Sequence, residues 1–328
     1  MFIRAVLYTI DLRYVFKFGG NKNIHYFKLY EQIDKSLEIN NTLIKTKVFK
    51  VTVVLTSLYG KLTVVNIIWA VFFDPSKSFI SMRSFVGMFM TYINSLSIVE
   101  MLAHVILIEY RLIKLKVILL QRYSYTTNNF SAFSVLGENN WLYFTKVKDI
   151  TRTLKGQTNQ VDCNYIYGIS WLNKCYLLLI EQSHFINKLF GVRILLNSIV
   201  NIWDLVNSIN IVIRSFFREM DTETMIFNIL AATFNISLIA AILICLVYRC
   251  EKTYEERSDI INVVDRILVE KYINASQRSR LAEFRSLVYS RPIQFTAAHF
   301  YRLNYKLLVR FCSAITTISI ILLQSLRG

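Results

Sequence analysis

Phe295-Thr-Ala-Ala-His-Phe-Tyr-Arg-Leu-Asn-Tyr-Lys-Leu-Leu308, followed by an apolar run that closes in Ile321-Leu-Leu-Gln-Ser325, decides the fold. The first part is polar and rich in aromatic rings. The second is hydrophobic, and residues 311–326 carry no charge. A helix of that composition can enter a bilayer, where only helices and closed barrels satisfy every backbone polar group. The uncharged run is short for a span. With its flank from Lys306, whose side chain can snorkel to the interface, it reaches bilayer length.

The rest of the chain agrees with a membrane class. Apolar residues make up 54% of 328 and mean hydropathy is +0.39, a combination rare in a soluble protein of this length. Five windows read as spans, at approximately 48–73, 84–108, 194–213, 224–248 and 311–326. Gly60-Lys61 interrupts the first of them. The expected fold is therefore all-α, a multipass helical protein with five spans.

Net charge is +16, and its distribution matters more than its size. With residues 1–47 inside, the inner segments 1–47, 109–193 and 249–310 hold 31 of the 38 Lys and Arg, and the outer segments hold 5. Near the span ends, Lys45, Lys47, Arg111, Lys114, Lys116, Arg249 and Lys252 favour the same side. The positive-inside rule places the N-terminus in the cytoplasm and the C-terminus outside. A charge excess so placed points to membrane orientation and not to nucleic acid.

Cysteine usage fits this arrangement. Cys163, Cys175, Cys250 and Cys245 fall on or near the reducing side, and neither outer loop has a cysteine to form a disulfide. The four histidines are far apart in sequence, and none pairs with Cys or His at metal-ligand spacing. No glycine-rich phosphate loop or nucleophile elbow occurs. The expectation is no enzyme, no metal and no cofactor.

Four segments follow. Residues 1–47 form a cytoplasmic amphipathic segment, with Phe27, Tyr30, Ile33 and Leu37 on one face. Residues 48–248 hold four of the spans, with the cytoplasmic loop 109–193 between them. Residues 249–305 are cytoplasmic anchor-like helices. Within them 251–290 reads as an amphipathic helix with Ile260, Val263, Val264, Ile267 and Leu268 turned to a partner. Residues 306–328 make the final span.

Polar groups within the spans are costly unless paired or wetted, so they mark candidate sites. Glu100 and His104 lie four apart and can pair. In the third span Trp203, Asn207 and Asn210 share a face, with Asp204 beside them, and mix an aromatic wall with amides as small-molecule sites do. Tyr92, Asn94, Ser95 and Asn228 are similar candidates. Interhelical hydrogen bonds account for the same residues equally well. In the final helix Ser313, Thr317, Ile320 and Gln324 recur at spacings of 4, 3 and 4 and so share one face, read either as a packing seam or as a pore wall.

The C-terminal stretch resembles the signature of insect gustatory receptors, in which Thr-Tyr, five apolar residues and Gln-Phe close the last helix. Here Thr317 and Gln324 match, while Ile318 and Ser325 replace the Tyr and Phe. Phe295, Thr296, Phe300, Leu303 and Leu307 complete the matching motif, and Gln182, Asn187 and Phe190-Gly191 resemble the family's approach to its fifth span. On that alignment the five spans correspond to family spans three to seven. Either the chain starts at an internal Met or it is a naturally short, non-conducting copy. The resemblance implies a tastant-gated cation channel of the plasma membrane, a homo- or hetero-tetramer with related receptors, and a last helix around the pore. It implies a gate near Gln324, with Ser325 in place of the family's apolar plug. A multipass transporter is the alternative of another class, although no inverted repeat is visible.

Overall fold

The computed structural model describes residues 21–37, 78–124, 168–217, 222–269 and 273–327, with scattered positions between 46 and 64 and Thr9. For residues 21–27, 36, 78–95, 121–124 and 325–327 and for several positions of 214–238 the backbone alone is described. The first expected span, 48–73, lies largely outside these residues, as does Cys163.

Among the described residues, these elements follow in order. They are α1 (Asn21–Ser36), α2 (Ser78–Ser124), α3 (Ile169–Phe217), α4 (Thr222–Val269), α5 (Ala275–Ser290), β1 (Thr296–Ala297), β2 (Tyr301–Arg302) and α6 (Tyr305–Arg327). The expected spans 84–108, 194–213 and 224–248 fall inside α2, α3 and α4, which have 47, 49 and 48 residues. At 1.5 Å per residue each is about 70 Å long, more than twice the hydrocarbon core. Nothing in their sequences stops them. The two prolines, Pro75 and Pro292, lie before α2 and after α5. Glu109 to Gln121 and residues 169–193, whose pattern stays helical in the sequence, are indeed helix, in the C-terminal half of α2 and the N-terminal half of α3.

The chain folds as two compact units, one of residues 1–111, 178–256 and 293–328, the other of residues 112–177 and 257–292. In the second unit Leu112, Leu115, Leu119, Tyr176, Ile260, Val264, Leu281, Phe284 and Val288 are buried. The Tyr176 ring meets Phe284 edge-on, and its hydroxyl donates to the Arg291 carbonyl at 2.9 Å. Lys116 pairs with Asp259 at 3.0 Å, and Arg285 pairs with Asp265.

Two expectations for this region need correction. Residues 251–290 are not one helix: α4 ends at Val269, and Asn274 takes an extended conformation ahead of α5. Nor is the apolar face turned to a partner. Ile260, Val263, Val264 and Ile267 are 0–6% exposed within the chain itself.

In the first unit α1 buries Leu29 and Ile33, and Leu37 just beyond its end is buried as well. Asp34 carries a charge and is nevertheless 5% exposed. It accepts from Nε and Nη2 of Arg111 at 2.9 and 2.7 Å, while Arg111 Nη1 donates to Gln182 at 2.8 Å. The Tyr30 ring lies 3.6 Å from the same guanidinium. A buried ion pair survives desolvation only with such additional partners. Arg249 likewise pairs with Glu109, which is 3% exposed. Several basic residues at the expected span ends are thus matched by internal carboxylates.

Candidate functional site

Most of the matching motif residues gather at the hairpin that feeds α6. β1 and β2 pair antiparallel, Thr296 opposite Arg302 and Ala297 opposite Tyr301. Phe300 N–H donates to the Ala297 carbonyl at 2.9 Å and closes the turn. Its two central residues, Ala298 and His299, have φ of 49° and 64°, conformations that strain a side-chain-bearing residue. Such strain persists only where surrounding contacts over-determine it.

Those contacts come from α3 and α4. Asn187 uses its whole amide, donating to the Gln294 carbonyl at 2.6 Å and accepting from Thr296 N–H at 3.0 Å. One turn on, Gly191 lets the turn backbone touch the helix, for a β-carbon there would lie 2.8 Å from Ala298 N. From α4, the Tyr254 hydroxyl accepts from Phe295 N–H at 3.0 Å and donates toward the Leu303 carbonyl at 3.2 Å. Burial holds that hydroxyl well above the usual tyrosine range, so it stays protonated and able to donate. Tyr301 donates to Ser198 at 2.6 Å.

Phe295, Leu303 and Leu307 are 0–5% exposed, and Phe300 is 79% exposed at the turn. The entry to α6 is tied as firmly. Asn304 Oδ1 accepts from Leu307 N–H at 3.2 Å as the helix cap, and Glu251 accepts from Tyr305 N–H at 3.0 Å. The first of these caps the positive pole of α6 from within, the second from α4.

Beyond Leu307 the last helix is scarcely covered. Only 6% of the apolar window Tyr305–Gln324 is buried. Ser313, Thr317, Ile320 and Gln324 are all exposed on it. Thr317 donates its hydroxyl proton to the Ser313 carbonyl at 2.9 Å, which leaves its oxygen lone pairs directed away from the backbone. The Ser325 side chain lies outside the described residues.

The remaining candidates separate. Trp203 is 53% exposed and Asp204 2% exposed, so these neighbours on α3 serve different faces. Asn207 and Asn210 are half-buried. The buried polar row is instead Asn197, Asp204 and Ser208, at spacings of 7 and 4, with Asn197 donating to Ser97 of α2. Of the four candidates expected on this helix Asp204 belongs to that row, while Trp203, Asn207 and Asn210 lie on the more open neighbouring face. Tyr92, Asn94, Ser95 and Asn228 have side chains outside the described residues. Glu100 pairs with Arg193 at 3.4 Å, and His104 packs on the Phe190 ring with centroids 5.5 Å apart. No group of three metal-ligating side chains occurs among the described residues.

A family model described as 7tm Chemosensory receptor matches residues 21–325. A search of curated proteins found no match to the chain.

Proposed function

The chain belongs to the 7tm chemosensory receptor family, and on that premise we propose that it is a gustatory receptor, a ligand-gated non-selective cation channel opened by small-molecule tastants. Family membership makes it a multipass helical receptor. The channel reading rests on one observation: α6 is uncharged over 311–326 and only 6% buried, so a single chain leaves it uncovered. Its exposed Ser313, Thr317, Ile320 and Gln324 face would line the pore of a tetramer, homomeric or mixed with related receptors. Hydroxyl and amide oxygens there can replace part of a cation's hydration shell. Gln324 and Ser325 would form the gate.

The buried row Asn197, Asp204 and Ser208 favours a ligand pocket on α3 over the Trp203 face. The charge asymmetry supports a plasma-membrane receptor with its N-terminus in the cytoplasm and its C-terminus outside. The deciding experiment is whole-cell recording from cells expressing the receptor, alone and with related subunits, during application of a tastant panel with G-protein signalling blocked. Ligand-evoked cation current supports the channel. A response abolished by the block would point to a metabotropic receptor.

A further inference from the structure

We propose that the hairpin ahead of α6 binds the phosphate of an anionic phospholipid, with Arg302 holding the phosphate oxygens and Thr296 supplying a second donor.

The charge balance of the chain's end motivates this. No Asp or Glu follows Glu283, while Arg285, Arg291, Arg302, Lys306, Arg310 and Arg327 do. Elsewhere in the same unit the buried or half-buried arginines Arg111, Arg193 and Arg249 each have a carboxylate. Arg302 is half-buried too, yet among the described residues it has no carboxylate partner, and its guanidinium lies 4.0 Å from the Tyr254 ring centroid. On α4, Glu251 is committed to Tyr305 N–H. Among the described residues the Arg302 charge is left without an anion.

Two orphaned atoms mark the same place. Arg302 Nε and Thr296 Oγ1 are both buried without a hydrogen-bond partner. These residues face each other across the ladder, and directly opposed residues bring their side chains to one face of it. One acceptor between them would satisfy both. A phosphate oxygen suits a guanidinium, which binds such groups through paired N–H donors.

The position selects a lipid as the source. Phe300 and Tyr305, 79% and 46% exposed, flank Arg302, and Lys306 and Arg310 are exposed on the first turns of α6. Aromatic rings beside basic groups, just ahead of an uncharged apolar helix, are suited to the headgroup layer. Tyr305 lies six residues before the uncharged run, about 9 Å along a helix, which is within headgroup depth. Anionic lipid at this point would brace the hairpin against α6.

The test uses the full chain, purified in detergent and equilibrated with an equimolar mixture of phosphatidylglycerol and phosphatidylcholine. Native mass spectrometry counts the lipids retained. The expected result is a preference for phosphatidylglycerol of roughly fivefold. Arg302→Gln should remove the preference and Thr296→Val should reduce it, while Arg285→Gln leaves it intact. Equal retention of both lipids by the unmodified protein overturns the proposal, as does an unchanged preference in Arg302→Gln. Displacement of the lipid by inorganic phosphate at matched concentration would make a free anion the ligand and overturn the lipid source. If Arg302→Gln does not fold, Thr296→Val decides, and an unchanged preference there overturns the shared site.

Discussion

Gly191 of α3 and Ala298 of the turn meet backbone to backbone: a β-carbon at position 191 would stand 2.8 Å from the Ala298 nitrogen and 3.2 Å from the Thr296 oxygen. Neither neighbour is a flexible side-chain end that can swing away. The contact explains why a long helix free of proline still contains a glycine. It also lets Asn187, one turn earlier, reach Gln294 and Thr296.

Gly191→Ala should therefore push the turn off α3 and weaken the Asn187 bonds. Overpacking of this kind costs typically about 1–3 kcal/mol. Thermal unfolding of the detergent-solubilised receptor should show a lower midpoint. A midpoint equal to that of the unmodified protein would mean the hairpin is not seated on the helix.

Arg111 and Asp34 provide a second test. Breaking a buried pair from one side leaves an uncompensated charge and costs about 3–5 kcal/mol. Arg111→Met and Asp34→Leu should each reduce folded yield severely, and the double substitution should recover much of it. The readout is monodisperse protein by fluorescence-detected gel filtration. Additive losses in the double variant would contradict the pairing.

Val264→Asp tests the packing of the second unit. Val264 is fully buried, so the variant places an unpaired carboxylate in an apolar interior. It should lose folded protein altogether, monomer included. Well-folded monomers that merely fail to assemble would restore the partner-facing reading of this helix.

Gln324 tests the pore. Gln324→Ala should alter conductance, ion selectivity or basal leak while surface expression holds. Gln324→Cys should react with thiol reagents in a conducting channel. Inertness in both open and closed states would place the residue off the ion path.

Orientation has its own check. An epitope after Gly328 should stain unpermeabilised cells, and staining only after permeabilisation would reverse the topology.

The sequence by itself determined that the chain is helical and multipass, because uncharged apolar runs have few ways to satisfy their backbone in lipid. It also determined the family resemblance, through Thr317, Gln324 and the motif from Phe295 to Leu307. Periodicity marked which faces are apolar, but not what would cover them. The Val264 face reads alike whether a partner or the chain's own helices bury it, and tertiary packing chose the chain. Nothing in the sequence around Asp34 marks its burial, because its partner, Arg111, is 77 residues away. The continuation of α2 and α3 beyond the apolar windows is legible too, since the pattern from Glu109 to Gln121 and over 168–193 stays helical while it turns polar. Only the tertiary structure decided that Asn187, Gly191 and Tyr254 hold the Thr296–Arg302 hairpin. A hydrogen bond between residues a hundred positions apart leaves no period in a sequence, since it depends on where the chain returns in space.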